Sequence, residues 1–244
     1  MKILKKELLK FAESLTPEEQ RFLNNSSSDT YNDVFPFNKI ESIIIRLISL
    51  NVLSYDEYQE MREKYIQRNM YLPLFELAPR TFGETWGQNH LKELVPDFTV
   101  PKKDKDPTYD GEYDLLLDDI HVEVKASRVV HKKGGETLAE KALSSDSDKN
   151  FDMNFQQLKP GCCDVFVWVA VWRNKIDYWV LSSKDVQDSD LLSNQHRGAS
   201  QSQDGKVVEG QIHINKGNYK EFEKYRVQED EIAQRIREIG KRAK

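Results

Sequence analysis

One stretch constrains the fold more than any other: Tyr113-Asp114-Leu115-Leu116-Leu117-Asp118-Asp119-Ile120-His121-Val122-Glu123-Val124-Lys125-Ala126-Ser127. Two runs of strand-forming residues flank an Asp-Asp pair, and aspartates suit a tight hairpin turn. Folding the segment at Asp118-Asp119 sets Leu117 against Ile120, Leu116 against His121, Leu115 against Val122 and Asp114 against Glu123. Opposite residues of an antiparallel pair share a face, and successive residues alternate between faces. Leu115, Leu117, Ile120, Val122 and Val124 therefore line one apolar face. Asp114, His121, Glu123 and Lys125 line the other, with Leu116.

Two directly opposed carboxylates repel and destabilise a sheet. A divalent cation removes that cost, and an all-oxygen site suits magnesium, which keeps several waters and binds phosphate oxygens. Lys125 lies two residues beyond Glu123 on the same face. It is placed to hold an attacking water or to stabilise charge on a phosphate. These are the parts that metal-assisted phosphodiester hydrolysis requires. The competing reading is an amphipathic strand pair whose charges simply face water, which is common in antiparallel sheets. Leu116 and the apolar strands nearby argue against a fully open face. His121 reads as a surface or partner-satisfied histidine.

The rest of the chain sets limits on this reading. With 244 residues, 38% hydrophobic and 32% charged, it can form one large domain or a core with a small satellite. A general nucleic-acid coat protein is usually basic, so a net charge of −5 argues against tight non-specific binding. It leaves room for a carboxylate-rich site whose basic groups are confined to one cleft. The apolar runs Ile43-Ile44-Ile45 and Val165 to Val171 are too short to span a bilayer. The first ten residues are charged throughout and carry no signal-peptide core, so a cytoplasmic protein with no membrane partner is expected. Cys162 and Cys163 are adjacent and lack ligand-spaced partners, so they read as small residues leading into a strand.

Residues 1–75 are expected to form a helical N-terminal region. Thr16-Pro17-Glu18-Glu19 is a helix start, Asn24 to Asp29 a loop, 39–50 an apolar helix, and Ser54 with Glu57 opens a helix to about Asn69. The region is either a packing hairpin or a DNA-contacting subdomain. Residues 76–244 alternate in type. A helix is expected from Thr81 to Leu94, then a loop from Pro101 to Asp110, the hairpin, and a polar stretch with a helix between Glu136 and Leu158. Asp164–Trp172 and Ile176–Leu181 read as strands around an Arg173-Asn174-Lys175 turn. Gln211–Ile214 reads as a short strand and Tyr219 to Lys241 as a charged helix. The order predicts an α/β (α+β) fold, a mixed central sheet flanked by helices.

Asp114 followed by Glu123-Val124-Lys125 resembles the PD-(D/E)xK nuclease motif, shared by many restriction endonucleases and some repair nucleases. The resemblance spans residues 80–182. It implies a restriction-endonuclease-like core of helix, β-meander, helix and strand. It also implies an acidic residue on the first helix, which falls on Glu84 in Phe82-Gly83-Glu84-Thr85-Trp86-Gly87 and would be a further metal ligand. The activity implied is that of a type II restriction endonuclease, cutting duplex DNA at a short sequence with Mg2+. The alternatives are a repair, nicking or junction-resolving nuclease of the same fold, and a non-catalytic DNA-binding regulator. The literal Pro-Asp pair of the chain is Pro96-Asp97, so Asp97 is the alternative to Asp114; the hairpin register favours Asp114.

Arg128, Lys132 and Lys133 follow the motif strand and are candidates for holding phosphates. Base reading needs amide and guanidinium groups. Asn194, Gln195, His196, Arg197, Gln201 and Gln203 gather such groups in one polar loop near 188–206. Gln156 and Gln157, at the end of the helix after the motif, are lesser candidates. Trp168, Trp172, Tyr178 and Trp179 read as core rather than as a stacking platform. Cutting two strands needs two sites or two events, which makes a homodimer the default.

Overall fold

A strand apolar on both faces must be covered on both. Val165–Val171, Val-Phe-Val-Trp-Val-Ala-Val, is buried at every position. The architecture follows from that requirement. A computed structural model of the chain describes residues 13, 14, 16–18, 21, 44, 45, 47–104, 109–133, 137–194 and 209–243. The chain divides into two units, Met1–Ile66 and Gln67–Lys244. Helix α1 (Tyr55–Arg68) opens on the expected cap: Ser54 N–H donates to Glu57 at 2.8 Å and Glu57 N–H to Ser54 Oγ at 3.1 Å. The loop expected at 24–29 lies outside the described residues, and the helices expected at 16 and 39 lie partly outside them.

The second unit carries strands β1 (Leu115–Leu117), β2 (Ile120–Arg128), β3 (Val130–His131), β4 (Phe151–Leu158), β5 (Val165–Val171), β6 (Ile176–Ser182), β7 (Ser193–Asn194), β8 (Gly210–Asn215) and β9 (Arg226–Val227). Its longer helices are α2 (Gln88–Leu94), continuing a π-helical segment Thr81–Gly87, and α3 (Ile232–Ala243). One sheet runs β1-β2-β5-β6-β9 and the other β3-β4-β8-β7. The first sheet is mixed: β2 and β5 are parallel, and the remaining neighbours are antiparallel. The fold is thus mixed α+β, as the element order predicts.

β5 sits at the centre of three layers. Its valine face packs with Leu115, Leu117 and Val122 against helical residues Phe82, Leu91, Ile232 and Ile236. Its other face, Phe166, Trp168 and Ala170, packs on Met153, Phe155, Ile212 and Ile214 of the second sheet. Fully burying a large apolar side chain stabilises by roughly 1.5–3 kcal/mol, so this strand anchors both layers. The aromatic residues Trp168, Trp172, Tyr178 and Trp179 are core, as expected. Among the described residues, no helix is long and apolar enough to cross a membrane.

The hairpin has the expected register: Leu115 pairs with Val122, Leu116 with His121 and Leu117 with Ile120. Asp118 takes the left-handed conformation at the turn, with φ 55°, which aspartate tolerates better than most residues. Two expectations fail. The segment up to Leu158 is not a helix: only Leu138–Lys141 is helical, and Phe151–Leu158 is strand β4. Its register shifts between Phe155 and Leu158, where Gln157 has φ 54°. The chain from Tyr219 to Lys241 is not one helix either. Arg226–Val227 breaks it to pair with β6. The cause is Asp177, buried at 3% exposure, whose carboxylate takes donors from Arg226 at 2.6 Å and from Trp172 Nε1 at 2.7 Å. A buried carboxylate without such partners is costly.

Candidate active site

β1 covers β2 only as far as Val122. The Asp114 N–H donates to Val122 O at 3.1 Å, just past the last paired residues Leu115 and Val122, and the Asp114 side chain reaches along β2 to lie beside Glu123. Beyond that point no described strand pairs with this edge of β2. A cleft of about 960 Å³ runs along it, lined by Glu84, Gln88, Asp114, Glu123, Lys125 and Gln157 among others. The π-helical segment lies close over β2 because residue 87 is glycine: a Cβ there would sit 3.3 Å from Ala126 Cβ. That approach brings Glu84 and Gln88, one helical turn apart, to the same cleft.

The Asp114 carboxylate is fixed from two sides. Oδ2 accepts from the Val124 N–H at 2.8 Å, and Oδ1 from the Gln88 amide at 2.6 Å. Lys125 Nζ lies 2.6 Å from Glu123 Oε1, with side-chain exposures of 17% and 11%. Burial pushes the Glu123 carboxyl up to about 7; the Lys125 ammonium opposes this and the negative charge of Asp114 adds to it. Burial also raises Asp114, against the pull of the Val124 N–H and of Lys125. Of two neighbouring carboxylates, one is held protonated more tightly, and here that is Glu123.

This donor set fits a hard divalent cation. Both carboxylates are oxygen ligands whose charges are held at a cost, which a cation would relieve. Among the described residues, no group of three or more His, Cys, Asp or Glu side chains stands ready to enclose a metal. Magnesium does not need such a cage, because it is commonly held by one or two carboxylates with water and phosphate oxygens. Glu84 lines the same cleft, but its carboxylate pairs with Arg80 at 2.7 Å and is 61% exposed. Its negative charge still reaches Asp114 and raises it further.

The structure therefore brings Glu84, Asp114, Glu123, Lys125 and Arg128 to one cleft. Arg128 has a different occupation from the others. Side chains alternate along β2, so it leaves the face of Glu123 and Lys125. Its guanidinium stacks 4.0 Å over the Phe82 ring and donates to Leu74 O at 2.8 Å and Leu77 O at 2.5 Å. These bonds tie the segment before the helix to β2. Lys132 pairs with Asp152 at 3.4 Å, beside His213. Lys133 lines a separate, smaller pocket. Asn194 is exposed on β7, paired in register with Gly210. Gln195, His196, Arg197, Gln201 and Gln203 lie outside the described residues. Asp97 is away from the cleft: it pairs with Arg237 at 2.9 Å, as Asp118 does. His121 stacks on Tyr113 at 4.2 Å and lies near Asp164.

Gln88 was legible only in part. Its spacing from Glu84 puts it on the same helix face, but nothing in the sequence says that its amide meets Asp114. Cys162 and Cys163 are free and stand near the site; the Glu123 charge is felt by both thiols. No family model matches the chain, and neither a curated protein nor a solved structure matches it.

Proposed function

We propose that the protein is a magnesium-dependent DNA endonuclease of the type II restriction kind, hydrolysing phosphodiester bonds of duplex DNA at a short sequence. The observation that carries this reading is the Asp114 carboxylate beside that of Glu123, with Lys125 2.6 Å from Glu123, all lining one cleft. The chain order also supports it. Thr99 bridges Leu116 antiparallel, β1 and β2 follow, and β5 then lies parallel to β2. This is a meander followed by a parallel strand, the order that the PD-(D/E)xK resemblance implies. The crossover differs, running through β3, a short helix and β4. A restriction-endonuclease-like core, a cytoplasmic location and a homodimer that cuts both strands belong to the same proposal.

Asp114 and Glu123 are the residues that would hold Mg2+, with Glu84 able to join by releasing Arg80. Bound there, the cation would neutralise charge on the scissile phosphate and acidify water. The protein's own groups do the remainder. The Val124 N–H and Gln88 fix the Asp114 carboxylate in one orientation. Lys125 brings a positive charge to the carboxylate pair, from which it can orient a water or stabilise the phosphate as negative charge builds. A water gives up one proton as its oxygen bonds to phosphorus, one ester P–O bond breaks, and the leaving oxygen takes up a proton.

The test is a digest of sequenced phage DNA with magnesium, comparing the wild type with Lys125→Ala. Discrete fragments from the wild type, lost in the variant, are expected. Failure of the wild type to cut plasmid, phage and methylated DNA alike would overturn the reading. Cutting that follows DNA structure and gives no sequence-dependent fragments would shift it to a repair or junction-resolving nuclease.

A further inference from the structure

β4 carries a feature that the carboxylate site does not use. Phe155 pairs with Ile212 and Leu158 with Gly210, so Gln156 and Gln157 together oppose the single residue Gln211. This is a β-bulge. In a regular strand, neighbouring side chains point to opposite faces. Here the extra residue lets Phe155 and Leu158 both stay buried while Gln156 and Gln157 are both exposed. Both glutamines line the cleft that holds Asp114, Glu123 and Lys125.

The bulge holds a non-glycine residue in the left-handed region: Gln157 has φ 54°. Glycine adopts that conformation without strain. Strained residues of this kind persist where the surroundings over-determine them, and they concentrate at binding and catalytic sites. Two neighbours extend the feature. Asn154 lines the same cleft, and its Oδ1 is buried with no hydrogen-bond partner among the described residues. Lys159, just after β4, lines it as well; it is 56% exposed, with its ammonium 3.7 Å from Glu209.

We propose that Gln156 and Gln157 form the base-reading element of the cleft and recognise adenine in duplex DNA. The inference rests on the endonuclease reading. Amides can also bond phosphate oxygens, but only their paired bonds to base edges discriminate sequence. A glutamine amide accepts from adenine N6 and donates to N7, a pairing that thymine, guanine and cytosine do not offer. β4 and β8 are the central strands of the second sheet, and strands of a sheet are among the elements that read DNA from a groove. Lys159 supplies the phosphate contact that fixes their register.

The experiment is selection of binding sites from a randomised duplex library by the full chain, with calcium in place of magnesium. The same selection is run with Gln156→Ala, Gln157→Gly and Gln156→Glu. Glycine suits the φ of residue 157, so that variant removes the amide and keeps the bulge. The wild type should select a motif containing an A·T pair. Gln156→Ala and Gln157→Gly should each weaken the preference for adenine at one position by about tenfold. Gln156→Glu should move that preference toward cytosine, whose N4 donates to a carboxylate; a purely structural glutamine would not produce this shift. Binding with an unchanged motif in all three variants would overturn the inference alone, as would wild-type binding without a motif. Absence of any DNA binding would overturn it together with the proposed function.

Discussion

The Gln88 amide donates to Asp114 Oδ1 at 2.6 Å, a bond that runs from helix α2 to the residue preceding β1. The other oxygen of the same carboxylate is held by the Val124 N–H at 2.8 Å. Asp114 is thereby fixed by one side chain and one backbone group. Only the first can be removed by substitution.

Gln88→Ala is expected to raise the magnesium concentration needed for half-maximal cleavage by about 10-fold, with a smaller change in the rate at saturation. A magnesium titration of plasmid nicking measures this directly. An unchanged midpoint would show that the Val124 N–H alone orients the carboxylate.

Lys125→Ala should reduce cleavage at least about 100-fold at saturating magnesium. Its effect on stability should depend on pH. Lys125 opposes the burial that raises Glu123, so without it the carboxyl takes a proton more readily. At low pH the protonated Glu123 tolerates the loss. At high pH a buried, unpaired carboxylate remains, which is strongly destabilising. Thermal melts of the variant and the wild type should therefore diverge as pH rises through about 7. A constant difference across that range would contradict the coupling.

The raised Glu123 predicts how magnesium affects stability. Its carboxyl titrates near 7 in the folded protein and at an ordinary 4.5 when unperturbed. Between those values the folded state binds the proton that the unfolded chain has released. Stability without a divalent cation therefore falls as pH rises from 4.5 through 7. A cation at Asp114 and Glu123 takes the place of that proton. Magnesium should raise the melting temperature by at least about 2–4 °C for each kcal/mol of binding at pH above 7, and much less near pH 5. For the same reason, the pH at half-maximal cleavage should move downward as magnesium is increased. Calorimetry with and without chelator tests the first outcome, and pH–rate profiles test the second.

Helix α3 is seated on the hairpin at a glycine. A Cβ on Gly240 would lie 2.6 Å from Ile120 Cγ1. Gly240→Ala should cost about 1–3 kcal/mol through overpacking, despite the better helix propensity of alanine. A drop of several degrees in the melting temperature is expected, and no drop would mean that Ile120 finds another rotamer freely.

The hairpin register and its two faces were legible because two independent signals agree. The Asp-Asp turn fixes where the chain reverses, and the alternation of Leu115, Leu117, Ile120 and Val122 fixes which side is buried. β4 was not legible for an equally physical reason. Its bulge puts Phe155 and Leu158 on the same side at a spacing of three, which is a helical interval. The break at Arg226–Val227 depends on Asp177, far away in the chain, and no local pattern reports that. Arg128 follows Lys125 closely enough to look like part of the same charged surface. Alternation turns it to the other face, where the carbonyls of Leu74 and Leu77 take its donors.

The parallel pairing of β2 with β5 also sets a schedule. Glu123 lies beside Phe166 and Lys125 beside Trp168, so the strand bearing the carboxylate site leans on residues that are synthesised well after it. A ribosome-bound chain that ends before Val165 carries Asp114, Glu123 and Lys125 but no support on that side. The proposed hydrolysis would therefore require β5 to have emerged and paired with β2.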